Sequence, residues 1–160
     1  MHGHYDISYF HEVLRNVRWV KLRNLVDNNF KDVPTKRGVY IIRCNKVIRR
    51  AGGDDEYGIL YIGSTEATNG LRSRIKRLYE VAIGKRIHGH SGGITYREFE
   101  FDRVFKLDEL EVGWIEEEQL NKPSREVEKV LLRTYAYLYL DKPPLNLAVM
   151  RRHHEIHHRC

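Results

Sequence analysis

Cysteine, proline and long apolar runs are scarce in this chain. Two of its 160 residues are cysteines, Cys44 and Cys160, and four are prolines. Two cysteines with no C-x-x-C spacing exclude a disulfide framework and a zinc ribbon. No apolar stretch approaches the roughly 18 residues that cross a bilayer, and His2-Gly3-His4-Tyr5-Asp6 has no apolar signal region. The expected setting is therefore cytoplasmic (intracellular), with no membrane partner. Internal repeats and low-complexity tracts are lacking too.

Positive charge is present in quantity. There are 28 Lys and Arg against 22 Asp and Glu, a net charge of +6. Such an excess points to a polyanionic partner, nucleic acid first, and says nothing about fold. With 41% hydrophobic residues the chain can build one ordinary core,.

Two short runs organise the pattern. Val39-Tyr40-Ile41-Ile42 and Ile59-Leu60-Tyr61-Ile62 are rich in β-branched and aromatic residues and bounded by turn formers, so they read as two strands of one sheet. Phe10, Val13, Leu14, Val17, Val20 and Leu25 predict one helix over about 8–27, capped by Ser8, with Arg15, Arg18, Lys21 and Arg23 on its outer face. Residues 28–37 read as a loop. Between the strands, Val47 and Ile48 are expected to extend the first strand, and Asp54-Asp55 to form a solvated hairpin tip.

Leu71, Ile75, Leu78 and Ala82 predict a helix ended by Gly84. Its first two turns carry Arg72, Arg74, Lys76 and Arg77, cations at the wrong end of the helix dipole, which an anionic partner would relieve. Residues 85–93 read as a loop. The period-two spacing of Phe99, Phe101 and Phe105 predicts a third strand within 95–107. Residues 108–113 look turn-like, and 114–119 fit either a strand or a short helix. Pro123 should open a last helix with Val127, Val130, Leu131, Tyr135 and Leu138 on its buried stripe, ending before Pro143-Pro144. The tail, 150–160, is basic and His-rich, and its His153-His154 and His157-His158 would pair at i, i+4 on a helix, a spacing that transition metals use.

The fold class expected is α/β (α+β): a central sheet of about three strands flanked by helices, plus an N-terminal helix. The expected division is a helical extension over 1–33, a main domain over 34–149 and the tail over 150–160. At about 100° per residue, Arg74 and Glu128 each fall about 60° from the centre of their apolar stripes. Edge positions of this kind let a charged head reach a cleft while the stem packs.

In combination these segments resemble the GIY-YIG nuclease family. Gly38-Val39-Tyr40 matches the first half of its motif with Val for Ile, and Tyr61-Ile62-Gly63 matches the second. Leu71-Arg72-Ser73-Arg74 fits the L-x-x-R of the next helix. Glu128-Lys129-Val130-Leu131-Leu132 fits E-x-x-L-[IL], and Pro144-Leu145-Asn146 fits the P-L-N that often closes the domain. The resemblance covers about residues 37–147. There are departures. The connection between the two tyrosines is longer than most members have. Ser64 stands where some members have a lysine, and Leu78, beside Tyr79, where many have a histidine, a role open in space to His88 or His90.

What the resemblance implies is a metal-dependent endonuclease hydrolysing DNA phosphodiester bonds, with Mg²⁺ (or Mn²⁺) as cofactor and DNA as partner. Tyr40, Tyr61, Arg74 and Glu128 would be catalytic, with Glu128 the metal ligand. Gly63, Ser64, Arg72, Arg77, His88 and His90 would contact DNA. Gly38 and Asn146 would be supporting, Asn146 by tying the C-terminal segment to the body. Arg74 offers planar donors to a phosphate oxygen, and one carboxylate suffices for a magnesium ion that keeps its waters. A tyrosine ionises near pH 10, so as general base it needs nearby cations to lower that value. Tyr40 is expected to be the base, helped by Arg74, and Tyr61 to orient, a division the family leaves open to reversal. A restriction-type or mobile-element enzyme fits best, as a possible homodimer. The alternatives are a repair-type nicking nuclease, a non-catalytic nucleic-acid-binding module on the same scaffold, and RNA as substrate.

Overall fold

The structure, a computed structural model, describes residues 4–147. In chain order the elements are α1 (Ile7–Asn16), β1 (Val20–Lys21), α2 (Leu22–Asp27), β2 (Gly38–Arg43), β3 (Ile48–Arg50), β4 (Gly53–Asp55), β5 (Ile59–Thr65), α3 (Gly70–Ala82), α4 (Ser91–Glu98), β6 (Glu111–Glu116) and α5 (Ser124–Tyr139). Short 3-10 turns at Phe101–Arg103, Leu107–Glu109 and Glu117–Gln119 fill the gaps around β6. This is a small α+β fold.

The two tyrosine-bearing runs are adjacent antiparallel strands. Tyr40 of β2 lies opposite Gly63 of β5, and Ile42 lies opposite Tyr61. The main sheet has the order β1-β6-β2-β5, four strands rather than about three, with β5 at an edge. Helices cover both faces, which is why the central runs are apolar throughout instead of alternating. Val39, Ile41 and Ile62 pack with Phe10 and Leu14 of α1 and Val127, Leu131 and Tyr135 of α5. Tyr40, Ile42 and Tyr61 pack on the other face with Leu22 and Leu25 of α2, Leu71, Ile75 and Leu78 of α3 and Tyr96 of α4. Each fully buried aliphatic side chain contributes about 1.5–3 kcal/mol. The register slips by one residue between Ile42 and Arg43. That bulge turns Leu60 into the same core as Tyr61,.

Several expected elements are different. The helix expected over 8–27 breaks after Asn16, and its cap is Asp6, whose carboxylate accepts from Tyr9 N–H at 2.9 Å. Val20 and Lys21 become a strand paired with Val112 and Glu111 of β6. Of the expected extension, α1 and β1 are built into the body, since β1 pairs into the sheet and α1 lies in one of its cores. The open choice at 114–119 resolves as strand to Glu116 and then a 3-10 turn, and the strand begins at Glu111 inside the expected turn.

The strand expected over 95–107 is absent, replaced by the end of α4 and two 3-10 turns. Phe101 and Phe105, four residues apart, stack on each other with ring centroids 6.1 Å apart, and the Phe101 ring lies tilted against Tyr96 at 6.3 Å, so these side chains meet by helical proximity rather than alternate on a pleat. Val47-Ile48 do not extend β2, because Ile48–Arg50 pairs with Gly53–Asp55 as a separate hairpin. Asp55 is not at a solvated tip. Its buried carboxylate accepts the N–H groups of Tyr57, Gly58 and Ile59 and the hydroxyl of Tyr135. Gly84, at φ +78°, follows the end of α3 as expected. No helix among the described residues is long and apolar enough to cross a membrane. The His-rich tail lies outside the described residues.

Candidate active site at the open edge of the sheet

As an edge strand, β5 has unpaired backbone groups, which must find partners where they are buried. Leu145 N–H donates to Leu60 O at 2.8 Å. Asn146 then uses its whole amide on Ile62: Oδ1 accepts the N–H at 3.0 Å and Nδ2 donates to the carbonyl at 2.9 Å. This is the tie expected of Asn146. It leaves the Gly63-Ser64-Thr65 end of the strand for the site.

On the α3 side of the sheet Tyr40, Tyr61 and His90 form one buried cluster. The tyrosine ring centroids are 5.8 Å apart, and the His90 ring lies 5.1 Å from that of Tyr61. Tyr40 Oη and His90 Nε2 are 2.7 Å apart. His90 is the N-cap of α4, with Nδ1 accepting from Gly93 N–H at 3.2 Å. Two glycines make the cluster possible. A Cβ on Gly63 would lie 2.6 Å from Tyr61 Cε1 and 2.7 Å from Tyr40 Oη, and one on Gly92 would lie 2.8 Å from the other edge of the Tyr61 ring. Gly38 is restricted in the same way by Leu71 and the Ile115 carbonyl.

His90 thus supplies the histidine next to the tyrosines that Leu78, part of the core, does not. His88 is exposed outside the cluster. Since His90 is 1% exposed, its expected contact with DNA is replaced by one with Tyr40. Burial, with the nearby charges of Arg74 and Arg77, pulls the His90 pKa down to about 3, so the ring is neutral.

Arg74 stands at the mouth of the cluster. Its Nη1 donates to Gly89 O at 2.8 Å, and its charge acts on Tyr40 and, from the other side, on Glu128. With Arg77, Ser73, Ser64, Thr65, Glu66 and Asn69 it lines a cleft of about 360 Å³. Arg72 faces elsewhere: Nε donates to Val33 O at 2.7 Å and Nη2 to Lys31 O at 3.0 Å. Its expected DNA contact gives way to fastening the loop before β2. Lys76 likewise donates to Asn29 Oδ1. The crowded cations of α3 are thus largely satisfied by loop acceptors, leaving Arg77 toward the cleft.

Glu128 comes from α5, on the opposite face of the sheet. It meets β5 through Ser64, whose hydroxyl donates to Glu128 Oε2. Ser64 is therefore this carboxylate's partner. Burial raises the Glu128 pKa against the opposing pull of Ser64, Arg125 and Arg74. Among the described residues Glu128 makes no salt bridge. A half-buried carboxylate that lacks an ion-pair partner is suited to a bound cation. No group of three or more His, Cys, Asp or Glu gathers to hold a metal among the described residues. That donor set fits a hydrated magnesium ion, which needs one or two carboxylates and takes its remaining oxygens from water and phosphate.

Tyr40 departs from expectation. Its side chain is wholly buried, and burial together with Tyr61 pushes its pKa well above 10, overriding the downward pull of Arg74. Sequence reasoning missed Glu66 and Asn69 as cleft residues and the capping role of His90. The sequence held one signal for the last: His90-Ser91-Gly92-Gly93 places a possible cap immediately before two small residues. Compared with protein-family models, with curated proteins and with solved structures, the chain finds no match.

Proposed function

We propose that the chain is a metal-dependent endonuclease that hydrolyses DNA phosphodiester bonds. The observation that carries this reading is the position of Arg74, whose charge reaches Tyr40 on one face of the sheet and Glu128 on the other, above a cleft that Arg77 also lines. In-line attack on a phosphodiester gathers negative charge on the phosphoryl and leaving oxygens, and fixed cations aimed there are usually the largest catalytic factor. Arg74 would hold a phosphate oxygen through its planar donors. Glu128 would hold Mg²⁺ or Mn²⁺, which when bound stabilises the leaving oxygen. Ser64 fixes the carboxylate. Tyr40, or Tyr61 beside it, would take the proton of the attacking water, and for Tyr40 this requires first drawing off a proton that burial holds firmly.

The test is incubation with supercoiled and linear DNA in Mg²⁺, in Mn²⁺ and in EDTA, with Glu128→Ala beside the native chain. Metal-dependent cleavage lost in the variant is expected. Discrete fragments would mark a restriction-type or mobile-element enzyme, acting as a dimer if both strands are cut, and nicking would mark a repair-type enzyme.

One observation favours a second reading. Tyr40 is sealed from solvent and holds its proton firmly, as in a nucleic-acid-binding module that keeps the scaffold without the reaction. Binding of nucleic acid with no cleavage in either metal, unchanged in Glu128→Ala, would select that reading.

A further inference from the structure

Both ring nitrogens of His90 are engaged, and the two bonds together fix where its proton lies. Gly93 N–H is a backbone donor with its hydrogen directed at Nδ1, 3.2 Å away. Nδ1 must therefore be bare, since two hydrogens cannot share that line. A neutral imidazole carries one proton, so it sits on Nε2, 2.7 Å from Tyr40 Oη. The doubly protonated ring is excluded by burial and by Arg74 and Arg77. Nε2–H hence donates and Tyr40 Oη accepts. The hydroxyl hydrogen of Tyr40 must point elsewhere, and the groups acting on it from its other sides are Tyr61 of β5 and Arg74 of α3.

We propose that His90 is a positioning residue, a donor to Tyr40 locked in one tautomer by the N-terminus of α4, so that Tyr40 releases and regains its proton only on the side of Tyr61 and Arg74. The lock stands on the two hydrogen bonds; its catalytic meaning rests on the nuclease reading. His90 cannot serve as the base, because the nitrogen facing Tyr40 already carries a proton and the other is held by the helix. When Tyr40 ionises, its O–H bond breaks towards the cleft side, the proton leaves to solvent, and the phenolate keeps one neutral N–H donor and the Arg74 charge. On attack, a water O–H bond breaks and the Tyr40 O–H bond re-forms, with no proton passing through His90. The charged and titratable groups acting on the pair are Arg74 and Arg77 from α3 and Tyr61 from β5. The glycines belong to the device: a Cβ on Gly93 would lie 2.7 Å from Leu78 O and one on Gly92 2.8 Å from the Tyr61 ring, so α4 reaches this position only with glycine at both.

Two substitutions separate capping from donation. Asparagine is a strong N-cap, and His90→Asn keeps an acceptor for Gly93 N–H but is too short to reach Tyr40. His90→Gln carries an amide N–H out to the Nε2 position and gives up the cap. The native chain is examined by imidazole ¹⁵N NMR, and all three by ¹⁹F titration of 3-fluorotyrosine placed at position 40. The expected results are a single Nε2–H tautomer, unchanged from pH 5 to 9, and a roughly tenfold or larger fall in the Tyr40 ionisation constant in His90→Asn, the weight of one hydrogen bond to a charged group. His90→Gln should restore ionisation close to the native value while unfolding at lower denaturant. An Nδ1–H or doubly protonated ring, or His90→Asn leaving the ionisation unchanged, would overturn the proposal. These readouts need no substrate, so a chain that cuts no DNA would remove the nuclease reading and leave the lock standing or fallen on its own result.

Discussion

Asn146 stands against Ile62 as one residue of a missing strand would: its side-chain amide takes the N–H at 3.0 Å and gives to the carbonyl at 2.9 Å. Both atoms of Ile62 are buried at the sheet edge, two residues before Ser64, so the anchor of the candidate site depends on a side chain 84 positions away.

Asn146→Ala leaves two buried backbone groups unsatisfied. At about 1–3 kcal/mol for each such group, the variant should lose roughly 2–6 kcal/mol in urea denaturation. Asn146→Asp separates the two bonds. Its ionised carboxylate accepts from Ile62 N–H but repels Ile62 O, whereas the protonated form can donate to that oxygen. The variant should therefore gain stability relative to the native chain as pH falls through its carboxyl pKa. A pH-independent difference would contradict the assignment of both bonds.

Gly63→Ala should disable the tyrosine pair while preserving the fold. The added Cβ meets Tyr40 Oη at 2.7 Å and Tyr61 Cε1 at 2.6 Å, contacts that are relieved only if the rings move. Overpacking of this kind costs about 1–3 kcal/mol. The far-ultraviolet circular dichroism should be native and the Tyr40–His90 hydrogen bond broken, seen as a shifted Nε2 resonance. An unshifted resonance would show that the backbone yields instead.

The sheet and its two covering helices were legible because β2 and β5 are unbroken apolar runs between turn formers and α3 and α5 each keep one helical stripe. β6 was not, since Glu111-Val112-Gly113-Trp114-Ile115-Glu116 has a glycine in its middle and a glutamate at each end, and becomes a strand only by pairing with β1 and β2 on either side. The break after α1 escaped notice because Val17 and Val20 keep helical spacing while tertiary pairing takes Val20 into the sheet. At the site, motif order singles out Tyr40, Tyr61, Arg74 and Glu128, which lie on or against β2 and β5. Arg72, Asp55 and His90 differ from expectation for a common reason: each is a polar side chain satisfied by backbone groups, far along the chain for Arg72 and three or four residues on for His90 and Asp55. No periodicity reports such a bond.

Arg72 and Arg77, five residues apart on α3, should behave in opposite ways. Arg72 holds two loop carbonyls, so Arg72→Ala should lower stability by about 1–3 kcal/mol and leave the salt dependence of DNA binding unchanged. Arg77 lines the cleft and makes no salt bridge among the described residues. Arg77→Ala should keep stability within about 0.5 kcal/mol and flatten the slope of log K against log salt by about one unit. Fluorescence anisotropy on a short duplex in EDTA reads this without cleavage. Equal slopes in the two variants would take Arg77 out of the DNA interface.

Glu128 gives a prediction whose sign follows from burial. Its folded pKa is raised above the ordinary carboxylate value, while in the unfolded chain it is ordinary. Between those two values the folded state binds more protons, so stability falls as pH rises through the window. Above the window the full cost of holding an ionised, half-buried carboxylate is present. Glu128→Gln keeps an acceptor for the Ser64 hydroxyl and removes the charge. In EDTA the variant should therefore become more stable than the native chain as pH rises through the window, and the advantage should vanish at acid pH. Mg²⁺ should reverse the order, because a cation bound to the folded state stabilises the native chain alone. At a hundred times its dissociation constant it adds about 2.7 kcal/mol. Urea denaturation at acid and mildly alkaline pH, each in EDTA and in Mg²⁺, covers all four conditions. If Glu128→Gln is the less stable protein at alkaline pH in EDTA, the charges of Arg74 and Arg125 outweigh burial. If Mg²⁺ moves both proteins equally, Glu128 is not where the metal binds.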